Sequence, residues 1–198
     1  GLANAEEDAE IVIGTLAESR EEVANHVQHG TIESILRYIK VKPGEFYFIP
    51  AGTVHTISSG ILAYETMQSS DITYRLYDFN RQDNQYNDRP LNIEKALDVI
   101  QYNAPLPNIL PESEIIENHK CTHIVSNDFF TLVKWEISGT LNYMKPREFC
   151  LVTVLEGEGQ MIVDGEIFKL TTGTNFILTS EDLDSVFEGD FTLMISYV

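Results

Sequence analysis

The sequence predicts a mainly β protein of barrel or jelly-roll type, arranged as two units with a few short helices. Three observations carry that prediction. Short runs of aromatic and β-branched residues recur along the chain, each closed by a Gly, Pro or Asp turn signal, which is the spacing of small barrels and sandwiches. Helical periodicity is confined to brief stretches. Residues 104–111, APLPNILP, hold three of the seven prolines and read as a linker. The first unit is therefore expected over residues 1–105 and a second, smaller β unit over 106–198.

In order along the chain, Glu10–Gly14 (EIVIG) is a strand. Ser19-Arg20-Glu21-Glu22 is an S-x-x-E capping box, and Val23 and Val27 then recur at i, i+4, so a short amphipathic helix follows and Gly30 ends it. A second short helix covers Ile32–Leu36. The segments Tyr38–Lys42, Phe46–Ile49, Thr53–Ser58, Leu62–Thr66 and Thr73–Phe79 have strand character. The polar stretch Asn80–Pro90 is a loop, and Leu91–Gln101 is a helix with Ile93, Leu97 and Ile100 on one face. In the second unit the expected strands are Thr122–Val125, Phe129–Ile137, Phe149–Glu156, Gly159–Val163, Glu166–Leu170, Asn175–Leu178 and Thr192–Tyr197, with turns at VDGE and TTGT.

With 198 residues and 43% hydrophobic content, the chain can bury a real core in each of two units. The 31 acidic against 13 basic side chains give a net charge of −18, a field that repels nucleic acid and anionic membrane surfaces. Cys121 and Cys150 are too few for a disulfide framework and read as reduced, packed thiols, which implies a cytoplasmic setting. No signal-peptide pattern and no membrane-length apolar run is present, so a soluble protein is expected. The opening GLANAEEDAEIVIG lacks Met and reaches a strand almost at once, as a fragment or processed product would.

One segment names a chemistry. In Gly44–Ser59, GEFYFIPAGTVHTISS, the order is Gly, five residues, Pro, one residue, Gly, two residues, His. Pro50 fixes φ and Gly52 lets the backbone reverse, so the next strand presents the imidazole of His55 as a metal ligand. This spacing is the second half of a cupin metal motif. A catalytic zinc needs about three protein ligands and an open position, yet the first half of the motif, with clustered His and Glu, is absent before residue 44. In the second unit Gly157-Glu158-Gly159, Asp164-Gly165 and Gly173 resemble a cupin scaffold, but Thr179 stands where the first unit has Pro50 and no His follows. Its expected role is structural.

GEFYFIPAGTVHTI, YETMQSSDITYRLYDFNR and LNIEKALDVI together closely resemble the C-terminal part of bacterial type I mannose-6-phosphate isomerases (phosphomannose isomerases), and the resemblance extends over essentially the whole chain. It implies a zinc-dependent aldose–ketose isomerase interconverting mannose 6-phosphate and fructose 6-phosphate. The family's metal is held by a Gln-x-His pair, a Glu and a His. Only the last has a counterpart here, His55, which places the others in a segment upstream of Gly1. The resemblance further implies that Arg75 is the active-site arginine, that Glu65 and Asp71 line the same pocket, and that Arg81 is a basic substrate-binding position. An enediol step needs a cation near a developing oxyanion, and a guanidinium offers a planar fork of donors for it or for phosphate. A carboxylate such as Glu65 can relay protons. Arg75 and Arg81 are accordingly expected to form a positive mouth on an acidic surface. The alternative is a non-catalytic sugar-binding or regulatory cupin.

The remaining candidates have plainer readings. His26 and His29, three apart, are a solvated helix end, and His119 and His123 are surface or packed histidines. Trp135 is core. Arg75 lies between Tyr74 and Leu76, so on a strand it shares a face with Thr73 and Tyr77, and an inward guanidinium must be paired or functional. With one ligand, the chain by itself is expected to be inactive and nearly metal-free. The oligomeric state is left open.

Overall fold

The structure, a computed structural model, describes residues 1–70, 72–79, 81–82, 87, 89–179 and 184–198, with backbone only for residues 2 and 3. Two compact units are present: Gly1–Glu65 with Ser69–Asn108, and Thr66–Gln68 with Ile109–Val198. Strand dominates the second unit, whereas the first mixes short strands with helices in nearly equal measure. Among the described residues, no helix is long and apolar enough to cross a membrane.

The first unit contains β1 (Leu2–Ala5), β2 (Glu10–Thr15), α1 (Arg20–Gln28), a 3-10 turn at Ile32–Ile35, β3 (Leu36–Lys40), β4 (His55–Ile57), β5 (Ile61–Ala63) and α2 (Ile93–Val99). β2 lies between β3 and β4 in an antiparallel three-stranded sheet, and β1 pairs with β5. Its continuous apolar run has a physical reason: the strand is buried on both faces. Val12 packs with Ala17, Val23, Ile35 and Leu97. Ile11 and Ile13 pack on the opposite side with Ala9 and Val41, against Tyr47 and Ile49. The capping box forms as expected, with the Glu22 amide donating to Ser19 Oγ at 3.2 Å, while the Glu22 carboxylate accepts from the Glu18 amide. Gly30 follows the helix in the left-handed region at φ +66°. The expected helix face holds too, since Ile93, Leu97 and Ile100 all join the cluster around Val12.

Two expected strands do not form. Phe46–Ile49 lies between Pro43 and Pro50 and makes no strand pairing; Tyr47 and Ile49 are instead held by side-chain packing on Ile11 and Ile13. Thr73–Phe79 is likewise irregular, because its backbone bonds to Asn92 rather than to a neighbouring strand. The expected fold class, mainly β of barrel or jelly-roll type, is met in its jelly-roll form: the described sheets are open.

The second unit contains β6 (Glu112–Ile116), β7 (His119–Ser126), β8 (Thr131–Met144), β9 (Cys150–Val163), β10 (Glu166–Thr171), β11 (Asn175–Leu178) and β12 (Asp184–Tyr197). They form one antiparallel sheet in the order β10-β9-β12-β8-β7-β6, with β11 on β9. Asp164 and Gly165, at φ +50° and +81°, make the two-residue turn between β9 and β10. Phe187, Leu193, Ile195, Cys150 and Leu178 fill the core, where the ring of Phe187 lies 5.7 Å from Tyr143 and 6.2 Å from Phe191. Both cysteines are buried free thiols.

β8, β9 and β12 each run 14 residues because glycines let them bend without breaking the ladder. Gly189 lies opposite Gly139 on one side and Gly159 on the other, and the Phe191 ring closes over the gap. A Cβ on Gly159 would meet Glu188 O and Phe191 Cε1, each at 2.4 Å. The expected strands Phe149–Glu156 and Gly159–Val163 are one continuous β9, and Thr192–Tyr197 is only the end of β12. The sequence-based reading also omitted β6, whose five residues are all exposed and carry no alternation. Gly159→Ala is therefore expected to cost about 1–3 kcal/mol, read as a lowered urea midpoint, whereas Gly165→Asn in the open hairpin turn should leave the midpoint nearly unchanged.

Candidate functional site

The turn that carries the motif is docked on the end of α2. The Gln101 amide donates to Gly52 O at 3.0 Å, and the Gln101 side-chain amide donates to Ala51 O at 2.8 Å. Gly52 sits at φ +79°, and a Cβ there would lie 2.3 Å from Val99 O, so the approach admits only glycine. His55 then opens β4, opposite Ile13 of β2. Its Nδ1 lies 2.9 Å from Thr53 O, which requires Nδ1 to carry the proton and donate. Nε2 is thereby left with its lone pair and has no hydrogen-bond partner among the described residues. An exposed imidazole oriented by a backbone carbonyl in this way is chemically suited to ligate zinc.

Asn92, which caps α2, fixes Arg75. The Arg75 amide donates to Asn92 Oδ1 at 3.3 Å and the Asn92 amide donates back to Arg75 O at 2.7 Å. The guanidinium donates through Nη1 to Pro90 O at 3.2 Å. Its Nε lies 3.6 Å from Asp78 Oδ1, the same oxygen approached by Arg81 Nη2 at 2.7 Å and Arg89 Nη1 at 3.4 Å. Three guanidiniums thus converge on one carboxylate, and Asp78 is only 6% exposed. The second oxygen, Oδ2, is buried without a hydrogen-bond partner among the described residues. An excess of cation over anion around a buried anchor is the arrangement that attracts a second, external anion.

Of the residues singled out from the sequence, the structure brings together Arg75 and Arg81. The inward position expected for Arg75 is corrected: Leu76 and Asp78 point inward, while Arg75 and Tyr77 lie half-buried on the other side. Tyr77 donates its hydroxyl to Glu33 at 2.6 Å. Glu65 is exposed just beyond β5, and neither it nor His55 bonds to the arginine cluster among the described residues. Asp71 lies outside the described residues. Asp78 and Arg89 were missed; the i, i+3 spacing of Arg75, Asp78 and Arg81 was the available signal.

The other histidines divide. His26 bonds Thr31 Oγ1 at 2.8 Å and His29 bonds Asn25 O at 2.8 Å, as a helix end does. His119 is fully buried and satisfied on both nitrogens, by Thr140 O at 3.1 Å and the Ser138 amide at 3.2 Å. His123 instead joins Glu114 and Cys121, three donors of metal-binding type within 4.8 Å of one another.

Known proteins resemble this chain in sequence and in fold. The family model for the mannose-6-phosphate isomerase cupin domain matches residues 119–198. Mannose-6-phosphate isomerase of Streptococcus mutans is 39% identical over 196 residues, and one from Bacillus subtilis is 37% identical over 177; these alignments cover 99% and 89% of this chain but 62% and 56% of the relatives. The crystal structure of the mannose 6-phosphate isomerase from Bacillus subtilis superposes with a TM-score of 0.94 at 32% identity, covering 100% of this chain and 63% of that one. A mutant phosphomannose isomerase from Salmonella typhimurium, 16% identical, shares the fold at a TM-score of 0.62 over 90% of this chain. The open jelly-roll sheets and the Gly/Pro/Gly/His turn are those of a cupin. Within that class, residues 119–198 match the mannose-6-phosphate isomerase cupin domain, and the chain is similar along nearly its whole length to proteins of that name. It spans about three-fifths of the length of those first relatives.

The shared carboxylate gives a direct test of the cluster. Asp78→Ala is expected to destabilise the protein by about 2 kcal/mol, below the usual range for breaking a buried pair because the guanidiniums keep contact with water. Arg81→Ala, at an exposed partner, should cost under about 1 kcal/mol. Urea denaturation of the two variants checks the ranking.

Proposed function

We propose that this chain is the part of a cytoplasmic, zinc-dependent isomerase that carries one metal ligand and the anion-binding arginines for interconverting mannose 6-phosphate and fructose 6-phosphate. The observation that carries the reading is the convergence of Arg75, Arg81 and Arg89 on Asp78, in the same unit as an imidazole prepared for ligation. Similarity to relatives named mannose-6-phosphate isomerase suggests the substrate class, and the two protonated, packed cysteines fit a reducing compartment.

His55 would hold the zinc through Nε2, with the remaining ligands supplied from outside this chain. When bound, the metal polarises and positions substrate oxygens. Each residue of the chain then has a separable task. Arg75, immobilised by Pro90 O, Asn92 and Asp78, holds a fixed positive charge where negative charge develops on the sugar oxygen during proton transfer between adjacent carbons. Asp78 keeps that guanidinium from swinging toward solvent. Arg81, more exposed, meets the phosphate dianion, with a locally positive entrance offsetting the acidic surface. Glu65 and Asp71 are the carboxylates for proton movement and hydroxyl binding.

The test uses the whole protein that contains this chain. Arg75→Lys should lower kcat on the order of 10²-fold or more with a smaller change in KM, because lysine keeps the charge and loses the fork. Arg81→Ala should chiefly raise KM. His55→Ala should lower the zinc content by one equivalent relative to the unsubstituted protein, measured by elemental analysis. Full activity in Arg75→Lys, or a zinc content that His55→Ala leaves unchanged from the unsubstituted protein, would refute the assignment.

A further inference from the structure

The second unit, which the sequence-based reading left without chemistry, contains a cluster of donors unconnected to His55. Glu114 on β6 and Cys121 on β7 are direct cross-strand partners, and His123, two residues on, projects from the same face of β7 as Cys121. His123 Nε2 lies 3.7 Å from Cys121 Sγ and 3.3 Å from Glu114 Oε1. A tetrahedral ion with bonds of about 2.3 Å to sulfur and about 2.1 Å to nitrogen or oxygen sets its ligand atoms roughly 3.6 Å (S to N) and 3.4 Å (N to O) apart. The two separations made by His123 Nε2 are therefore those of a tetrahedral site, and all three donor atoms lie within 4.8 Å of one another. The His123–Glu114 contact alone is that of an ion pair; the Cys121 thiol against the same ring nitrogen supplies the third ligand-type donor.

We infer that Glu114, Cys121 and His123 form a second metal site, for a borderline-soft divalent cation of the zinc type. The donor set decides the class. A thiolate and an imidazole select zinc, cobalt(II) or cadmium over magnesium or calcium, which take oxygen ligands. The sulfur is held on a buried strand, with Cys121 paired to Trp135 on one side and Glu114 on the other. His123 and Glu114 are more than half exposed, so an ion can enter from solvent and retain water in the fourth position. On binding, the metal proton-exchanges with the thiol: one S–H proton is released to solvent and one metal–sulfur bond forms, with no change of oxidation state. The ion then ties the fully exposed edge strand β6 to β7.

Cobalt(II) titration of the metal-stripped full chain tests this. One equivalent should produce a thiolate-to-cobalt charge-transfer band, displaced by zinc. The band should persist in His55→Ala and Cys150→Ser, vanish in Cys121→Ser, and require about tenfold or more cobalt in His123→Ala. Circular dichroism monitors folding; should Cys121→Ser not fold, Glu114→Gln and His123→Ala, both at exposed positions, decide the matter by weakening the band. A wild-type protein with no such band, or a band unchanged in Cys121→Ser or in both exposed-site variants, overturns the site. The outcome is independent of the isomerase reading, since a cation at His55 gives no thiolate band.

Discussion

A single buried carboxylate organises the functional half of the first unit. Asp78 sits in a segment with no strand ladder to hold it and is only 6% exposed, and an isolated ionised carboxylate there would be expensive. The three guanidiniums around Oδ1 remove that cost and are themselves fixed by doing so. The irregular backbone of residues 72–79 is therefore ordered by charge and by the Asn92 cap. A strand would have tied Arg75 into a sheet; the loop leaves its guanidinium half-exposed yet oriented.

The same logic of mutual constraint runs through the turn bearing His55. Gly52 touches the C-terminal carbonyl of α2 closely enough to exclude any side chain, while Asn92 at the other end of that helix holds Arg75. One short helix thus references both the ligand turn and the arginine segment. Because α2 is anchored by Ala96 and Leu97 in the core around Val12, the placement of these residues rests finally on burial of β2 from both sides. In the second unit the corresponding device is the row of glycines under Phe191, which lets three long strands bend together and serve one core.

Much of this was legible in the sequence where local rules and tertiary packing agree. The S-x-x-E box, the glycine after α1, the apolar face of α2, the β11 strand and the Asp164-Gly165 hairpin all follow local rules that packing leaves undisturbed. What escaped depended on partners distant in sequence. Phe46–Ile49 has strand composition but packs through its side chains between two prolines, and Gly159 reads as a break until Phe191 is seen above it. Arg75 and Arg81 were found through resemblance, whereas Asp78 looked like one more acid in a chain with 31 acidic side chains. Its burial is what distinguishes it. The grouping of Glu114 with Cys121 and His123 required knowing that β6 exists, and an exposed edge strand leaves little trace in hydrophobic pattern.

The central claim is that the guanidinium of Arg75, anchored through Asp78, faces the reacting sugar phosphate beside the metal ligand His55. The most direct measurement is a crystal structure of the whole protein with zinc and a non-isomerisable analogue of fructose 6-phosphate. The account predicts His55 Nε2 on the zinc, Arg75 within hydrogen-bond distance of the analogue with its contacts to Asp78 and Pro90 kept, and Arg81 toward the phosphate. An analogue bound with Arg75 and Arg81 both turned away from it would contradict the account.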